Sequence, residues 1–169
     1  THPEIKGCKM CWATGRLSEK MSGGELNIKR LMLEASRVTL RECEKIKEEL
    51  SAELVTDDTL DNIIEGIRAV KGQKEIDLIM KAQRISEKAF EHILSFIKEG
   101  MTEREIGLEL DYFMLKNGAE ALSFETIAVC GEKTSMPHGV PDDKRLEKGD
   151  FITMDFGCVY KGYCSDMTR

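Results

Sequence analysis

The stretch from His138 to Arg169, HGVPDDKRLEKGDFITMDFGCVYKGYCSDMTR, decides the fold. Phe151 to Phe156 and Tyr163 to Thr168 are strand-like runs joined by a short connection, so they read as the two arms of an antiparallel hairpin. Asp155 and Asp166 sit on opposite arms. With Tyr160-Lys161 as the loop, the two aspartates face each other directly. With Lys161-Gly162 as the loop, Asp166 moves to a diagonal position but stays on the same face. Only a one-residue bulge would send the carboxylates to opposite sides, because strand side chains alternate. Like charges directly opposite each other destabilise a sheet unless something sits between them. A divalent cation, or two, meets that need, since oxygen donors suit hard or borderline cations such as Mn²⁺ and carboxylates can bridge a metal pair. Ordinary turn-flanking aspartates at a solvated sheet end account for the spacing equally well.

Upstream of the hairpin the chain reads as two helices followed by a first strand. Ile76, Ile79, Met80, Ala89, Phe90, Ile93 and Ile97 recur at three-and-four spacing in a long amphipathic helix that Gly100 stops. Thr102 and Glu105 form a capping box for the next helix, which turns Ile106, Leu110, Phe113 and Met114 inward and exits at Asn117-Gly118. Phe124 to Val129 is the first strand, and a polar loop runs through Lys148. His92 falls within the long helix and reads as a partly packed or solvated side chain, because no partner has ligand spacing.

Before Lys71-Gly72 the composition differs, and a smaller α/β unit is expected over residues 1–70. Arg30 to Glu34 is a short apolar run, and Thr39-Leu-Arg-Glu42 is a capping box opening a helix that buries Cys43, Ile46 and Leu50. Ala52 to Val55 is a second strand. Asp57-Asp58 then cap a helix whose face is Leu60, Ile63, Ile64, Ile67 and Val70. Residues 1–26 show no sustained period and read as an irregular lead-in. Cys8-Lys-Met-Cys11, with His2 nearby, has the spacing of a zinc or redox pair but lacks the further ligands a closed zinc site requires. Two incidental thiols is the reading adopted.

Bulk properties exclude several classes. The chain of 169 residues has a formal charge of -6, with Lys and Glu interleaved along it, so no nucleic-acid partner is expected. No apolar run approaches membrane-spanning length, and no basic-then-apolar leader opens the chain, so no membrane partner and a cytoplasmic address are expected. Cys43, Cys130, Cys158 and Cys164 lie singly in helix-like or strand-like segments, which favours reduced thiols.

Four motifs together carry a resemblance: Pro137-His138-Gly139, Leu146-Glu-Lys-Gly149-Asp150, Met154-Asp155-Phe-Gly157, and Gly162-Tyr163-Cys-Ser-Asp166-Met-Thr168-Arg169. In combination they resemble the metallopeptidase family of Xaa-Pro aminopeptidases, Xaa-Pro dipeptidases and methionine aminopeptidases. The resemblance implies an α/β fold, namely the N-terminal half of a pita-bread catalytic domain over residues 71–169. The tail of a small creatinase-type domain would precede it. Ile67-Arg-Ala-Val-Lys71 followed by Glu75-Ile-Asp is similar to the junction between those domains, which favours the Xaa-Pro branch.

The resemblance implies that Asp155 and Asp166 are the first two of five metal ligands. It also implies that His138 is the substrate-side histidine that helps stabilise the tetrahedral intermediate. Two divalent metal ions are implied, Mn²⁺ first with Co²⁺ or Zn²⁺ as alternatives, and peptides with proline in second position as substrates. A homodimer of the full-length protein is compatible with it. The remaining histidine and two glutamates of the family pattern lie beyond Arg169, so the chain reads as a fragment that is itself inactive. A non-catalytic pita-bread relative serving as an interaction module, a methionine aminopeptidase and a creatinase-type enzyme stand as alternatives.

Overall fold

A computed structural model of the chain describes residues 28–169. The lead-in expected over residues 1–26, with His2, Cys8 and Cys11, lies outside the described residues. The chain divides after Val70 into two compact units.

In the first unit, strand β1 (Arg30–Met32) pairs in parallel with β2 (Glu53–Val55), and helix α1 (Leu40–Glu49) makes the crossover that parallel pairing requires. The capping box forms as the sequence implies: Thr39 N–H donates to Glu42 Oε2 at 2.9 Å, and Glu42 N–H donates to Thr39 Oγ1 at 3.3 Å. Leu50 is buried, while Cys43 and Ile46 are half-buried. Helix α2 (Thr59–Ala69) starts where the paired aspartates place it. Asp58 occupies the cap position without a side-chain bond, and Asp57 instead accepts from Thr59 N–H at 3.0 Å. Leu60, Ile63 and Ile64 are half-buried as expected; Ile67 and Val70 are exposed.

The second unit stacks helix α3 (Gln73–Phe96) and helix α4 (Glu103–Lys116) on antiparallel strands. Its core joins Ala82, Ile85, Ala89 and Ile93 of α3 to Ile106, Leu110 and Met114 of α4 and to Met154, Phe156 and Met167 of the strands. The buried stripe of α3 therefore runs from Ala82 to Ile93, whereas Ile76 and Met80, read as inward from their spacing, are exposed. The helix also ends at Phe96, four residues before the expected stop. Gly100, with φ of 86°, serves the loop instead, donating its N–H to the Leu146 carbonyl at 2.9 Å. The second capping box is present, with Thr102 N–H to Glu105 Oε2 at 2.8 Å and Glu105 N–H to Thr102 Oγ1 at 3.1 Å. His92 is partly packed: its Nε2 lies 2.6 Å from Glu109 Oε1, and its ring stacks on Phe113.

The strands depart most from the simple hairpin. β3 (Ala121–Leu122), β6 (Cys158–Tyr160) and β7 (Tyr163–Cys164) form one sheet, while β4 (Ile127–Cys130), β5 (Ile152–Phe156) and β8 (Met167–Thr168) form another. The first expected arm, Phe151 to Phe156, is β5, and an unexpected strand β6 follows it after Gly157; the second, Tyr163 to Thr168, is broken between β7 and β8. Lys161 and Gly162 make the connection with φ of 49° and 78°, the pair of positive values that suits a two-residue hairpin turn.

The caps carry a pH signature. The backbone N–H of Thr102 holds the Glu105 carboxyl below the usual glutamate range, as that of Thr39 does for Glu42 and that of Gly72 for Glu75. A depressed folded pKa adds stability that is complete above the ordinary glutamate range and is lost as pH falls through the folded value. Thr102→Ala is expected to lower unfolding free energy by about 1 kcal/mol, and Glu105→Gln, which removes the titrating carboxyl, to flatten the acid limb of the stability profile relative to wild type. Urea unfolding of wild type and both variants across the acid range measures the two effects.

Candidate functional site

Strand alternation aims the candidate residues. On β5, Met154 and Phe156 are buried against the helices, so Asp155 between them points to the opposite face. On β8, Met167 is buried, and Asp166 and Thr168 flank it on that same opposite face. The register pairs Asp155 with Thr168 and Phe156 with Met167, which makes Asp166 diagonal to Asp155. This is the Lys161-Gly162 arrangement of the two left open by the sequence. Thr168 Oγ1 donates to Asp155 Oδ1 at 2.7 Å and orients that carboxylate.

Continuing the register places Gly157 across from Asp166, and this glycine is required. A Cβ added to it would lie 2.1 Å from the Ser165 carbonyl oxygen and 2.4 Å from Ser123 Oγ. Around it Ser123 N–H donates to the Gly157 carbonyl at 3.1 Å, and Ser123 Oγ donates to the Ser165 carbonyl at 2.8 Å. Ser165 is itself buried, its Oγ accepting from Cys158 N–H at 2.9 Å and lying 2.8 Å from Ser86 Oγ of α3. This polar knot marks the place where the strands leave one sheet for the other, immediately beside Asp166.

His138 reaches the same face from the loop after β4. Gly139 is buried there, and a Cβ on it would lie 3.1 Å from Val129 Cγ1 and 3.4 Å from the Met136 carbonyl oxygen. His138, Asp155 and Asp166 consequently line one open cleft of about 610 Å³, walled further by Phe124, Thr126 and Val140. Thr126 is held by a hydroxyl hydrogen bond to Asp111, whose carboxyl is pushed up by burial against the lowering effect of that bond. Asp166 is exposed, and its carboxylate has no hydrogen-bond or ion-pair partner among the described residues. No group of three or more His, Cys, Asp or Glu side chains placed to hold a metal occurs among those residues. What Asp155 and Asp166 offer a cation is therefore two carboxylates, one oriented by Thr168 and one free.

The sequence reading passed over Glu103. It occupies the first turn of α4, is wholly buried, and accepts from Cys130 N–H at 2.8 Å, Lys133 Nζ at 2.5 Å and Asp142 N–H at 3.1 Å. An acidic residue in a first helical turn is ordinary, so nothing local marks this one as buried. Burial and the adjacent Glu103 charge push the Cys130 thiol up to about 11, which keeps it a thiol and not a nucleophile.

Residues 77–169 match the family model described as Metallopeptidase family M24. The chain belongs to this family. An Xaa-Pro dipeptidase from Pyrococcus furiosus is 42% identical over 110 residues, 65% of this chain and 32% of that protein. An uncharacterised peptidase of Bacillus subtilis, YqhT, is 45% identical over 106 residues, 63% of this chain and 30% of that protein. Among solved structures, an Xaa-Pro dipeptidase from Bacillus anthracis superposes with a TM-score of 0.83 at 40% identity, covering 93% of this chain and 44% of that one. The chain thus spans about a third of the curated relatives' length. The expected α/β fold class of pita-bread type stands. No helix of the described residues is long and apolar enough to cross a membrane.

Gly157→Ala tests how far the site depends on the close approach at Ser165. The added methyl is expected to cost about 3 kcal/mol or more, above the common range for overpacking, because its nearest neighbour is backbone. Denaturant midpoints of the two forms measure it, and a cost below about 1 kcal/mol would mean that β8 can shift freely.

Proposed function

We propose that the protein containing these residues is a metal-dependent Xaa-Pro peptidase, an aminopeptidase or dipeptidase that releases the N-terminal residue from peptides with proline in second position. The observation that carries the reading is the convergence of His138, Asp155 and Asp166 on one cleft, in a chain similar to Xaa-Pro dipeptidases. Asp155 and Asp166 would hold divalent cations, Mn²⁺ in the first instance with Co²⁺ or Zn²⁺ as alternatives. The donor chemistry fits, because carboxylate oxygens suit such ions and Asp166 has no competing partner among the described residues. When bound, a metal pair supplies an activated water and charge stabilisation for attack on a peptide carbonyl.

The chain's own residues do the rest. Thr168 orients the Asp155 carboxylate, so one of the two carboxylates is held in place while that of Asp166 is free to turn toward a cation. His138 stands at the cleft as a donor to the oxygen of the reacting carbonyl, where hydrogen bonding to developing charge lowers the barrier. Val140 and Pro141 supply apolar wall for the substrate. The same reading places the protein in the cytoplasm, in keeping with buried free thiols at Cys130 and Cys158.

The test uses protein expressed from the complete reading frame, assayed with Mn²⁺ against Xaa-Pro peptides. Asp155→Asn and Asp166→Asn should each lower both bound metal and turnover, the latter by about a thousandfold or more, whereas His138→Ala should lower kcat by about 10²–10³ with metal content intact. Wild-type turnover in either aspartate variant would refute the assignment. The 169-residue chain alone is expected to bind Mn²⁺ weakly and to hydrolyse no Xaa-Pro dipeptide, which calorimetric titration and the same assay check.

A further inference from the structure

We infer that Glu103 is a positioning residue that clasps both ends of the segment carrying His138; the functional half of this inference rests on the proposal that His138 meets the substrate. The segment leaves β4 at Cys130, makes a 3₁₀ turn over Gly131–Ser135, exposes His138, and returns past Asp142 to the start of α4. It contains no strand and no long helix, so its own backbone does not fix where His138 stands.

The Glu103 carboxylate binds the departing arm through Oε1, which accepts from Cys130 N–H, and the returning arm through Oε2, which accepts from Asp142 N–H. Lys133 closes the loop between them. Its ammonium lies 2.5 Å from Glu103 Oε2 and 2.9 Å from Asp142 Oδ2, and it donates to the Val140 carbonyl at 2.9 Å, two residues beyond His138. Burial pulls the Lys133 ammonium down, but Glu103 and Asp142 more than offset this and leave its pKa above the ordinary lysine value.

Helix α4 supplies the rigid base. Glu103 N–H and Arg104 N–H donate to the Lys144 and Asp142 carbonyls at 3.0 and 3.1 Å. A buried carboxylate with three donors is costly to disturb, because an amide in its place keeps one oxygen and turns an NH₂ donor toward either Cys130 N–H or the Lys133 and Asp142 donors. A helix that needed only an acidic first turn would leave Glu103 in water; here it is the most deeply enclosed charged side chain among the described residues.

Glu103→Gln keeps the shape and removes the charge, and it is compared with wild type in the complete protein by hydrogen exchange and by NMR of ¹³C-labelled histidine. The His138 resonance is assigned from His138→Ala. Expected is exchange about tenfold faster or more across residues 131–142, with α3 and β5 unchanged, and a shifted His138 signal beside an unmoved His92 signal. Unchanged exchange and an unmoved His138 signal would overturn the clasp. So would acceleration spread equally over α3, α4 and β5, since Glu103 would then hold the fold and not the segment.

Should Glu103→Gln fail to fold, the pair Glu103→Gln with Lys133→Met, which leaves no enclosed charge and only the exposed Asp142 without its cation, is read the same way; failure of both to fold also overturns the inference. The two proposals fail separately. Full turnover in His138→Ala removes the peptidase role of His138 and leaves the exchange result standing, while unchanged exchange in Glu103→Gln with His138 essential removes only the clasp.

Discussion

The Ser165 carbonyl oxygen occupies the space that any side chain on Gly157 would need, and the arrangement of the cleft depends on that contact. Two strands of a hairpin normally stay apart at sheet spacing with side chains alternating above and below. Here they close on each other at one point, and Ser123 bridges the approach by bonding to both backbones. The sheet divides there. The half holding β5 and β8 carries Asp155 and Asp166 on its non-core face, and the half holding β6 and β7 turns away under α3, with Ser86 and Ser165 hydrogen-bonded between helix and strand. Because these polar groups are enclosed, their bonds are obligatory, and the position of the break is correspondingly well defined.

A second enclosed polar group, Glu103, serves the segment that brings His138 to the same cleft. The carboxylates and the histidine are held by different means. Asp155 and Asp166 stand on paired strands, whose hydrogen-bond ladders leave little freedom, and Thr168 orients the Asp155 carboxylate across the pair. His138 stands on an irregular segment between β4 and β5, so side chains must do what a ladder does elsewhere: Glu103 and Lys133 tie the arms, and Gly139 packs on Val129 at the tip. The cleft thus joins carboxylates on a strand ladder to a histidine on a tethered segment, with Thr126 and Val140 also in its lining.

Much of this was legible in the residues themselves. Both Ser/Thr-x-x-Glu boxes opened helices where they were read, because a cap is a contact between residues three apart and needs no distant partner. The diagonal pair of aspartates was among the registers the hairpin allowed. The misreadings have a common cause. Ile76, Met80, Ile67 and Val70 have the right period for a buried face, yet they are exposed, since periodicity says which side chains share a stripe and not how far a neighbour extends along it. The division of the hairpin between two sheets was hidden for a related reason: Gly157, next to a strand, signals close backbone approach, but the groups that approach, Ser123 and Ser165, are brought in by tertiary pairing.

The sequence by itself determined the two helix-opening capping boxes and the combination of motifs that marks family M24, both of which depend on local spacing or residue identity. Tertiary structure alone decided the diagonal register of Asp155 and Asp166, the split into two sheets, and the burial of Glu103. Each of these rests on contacts between segments tens of residues apart, such as Ser86 with Ser165 and Glu103 with Lys133. Their free energy comes from enclosing polar groups away from water, a property that no single stretch of chain possesses until the others have folded around it.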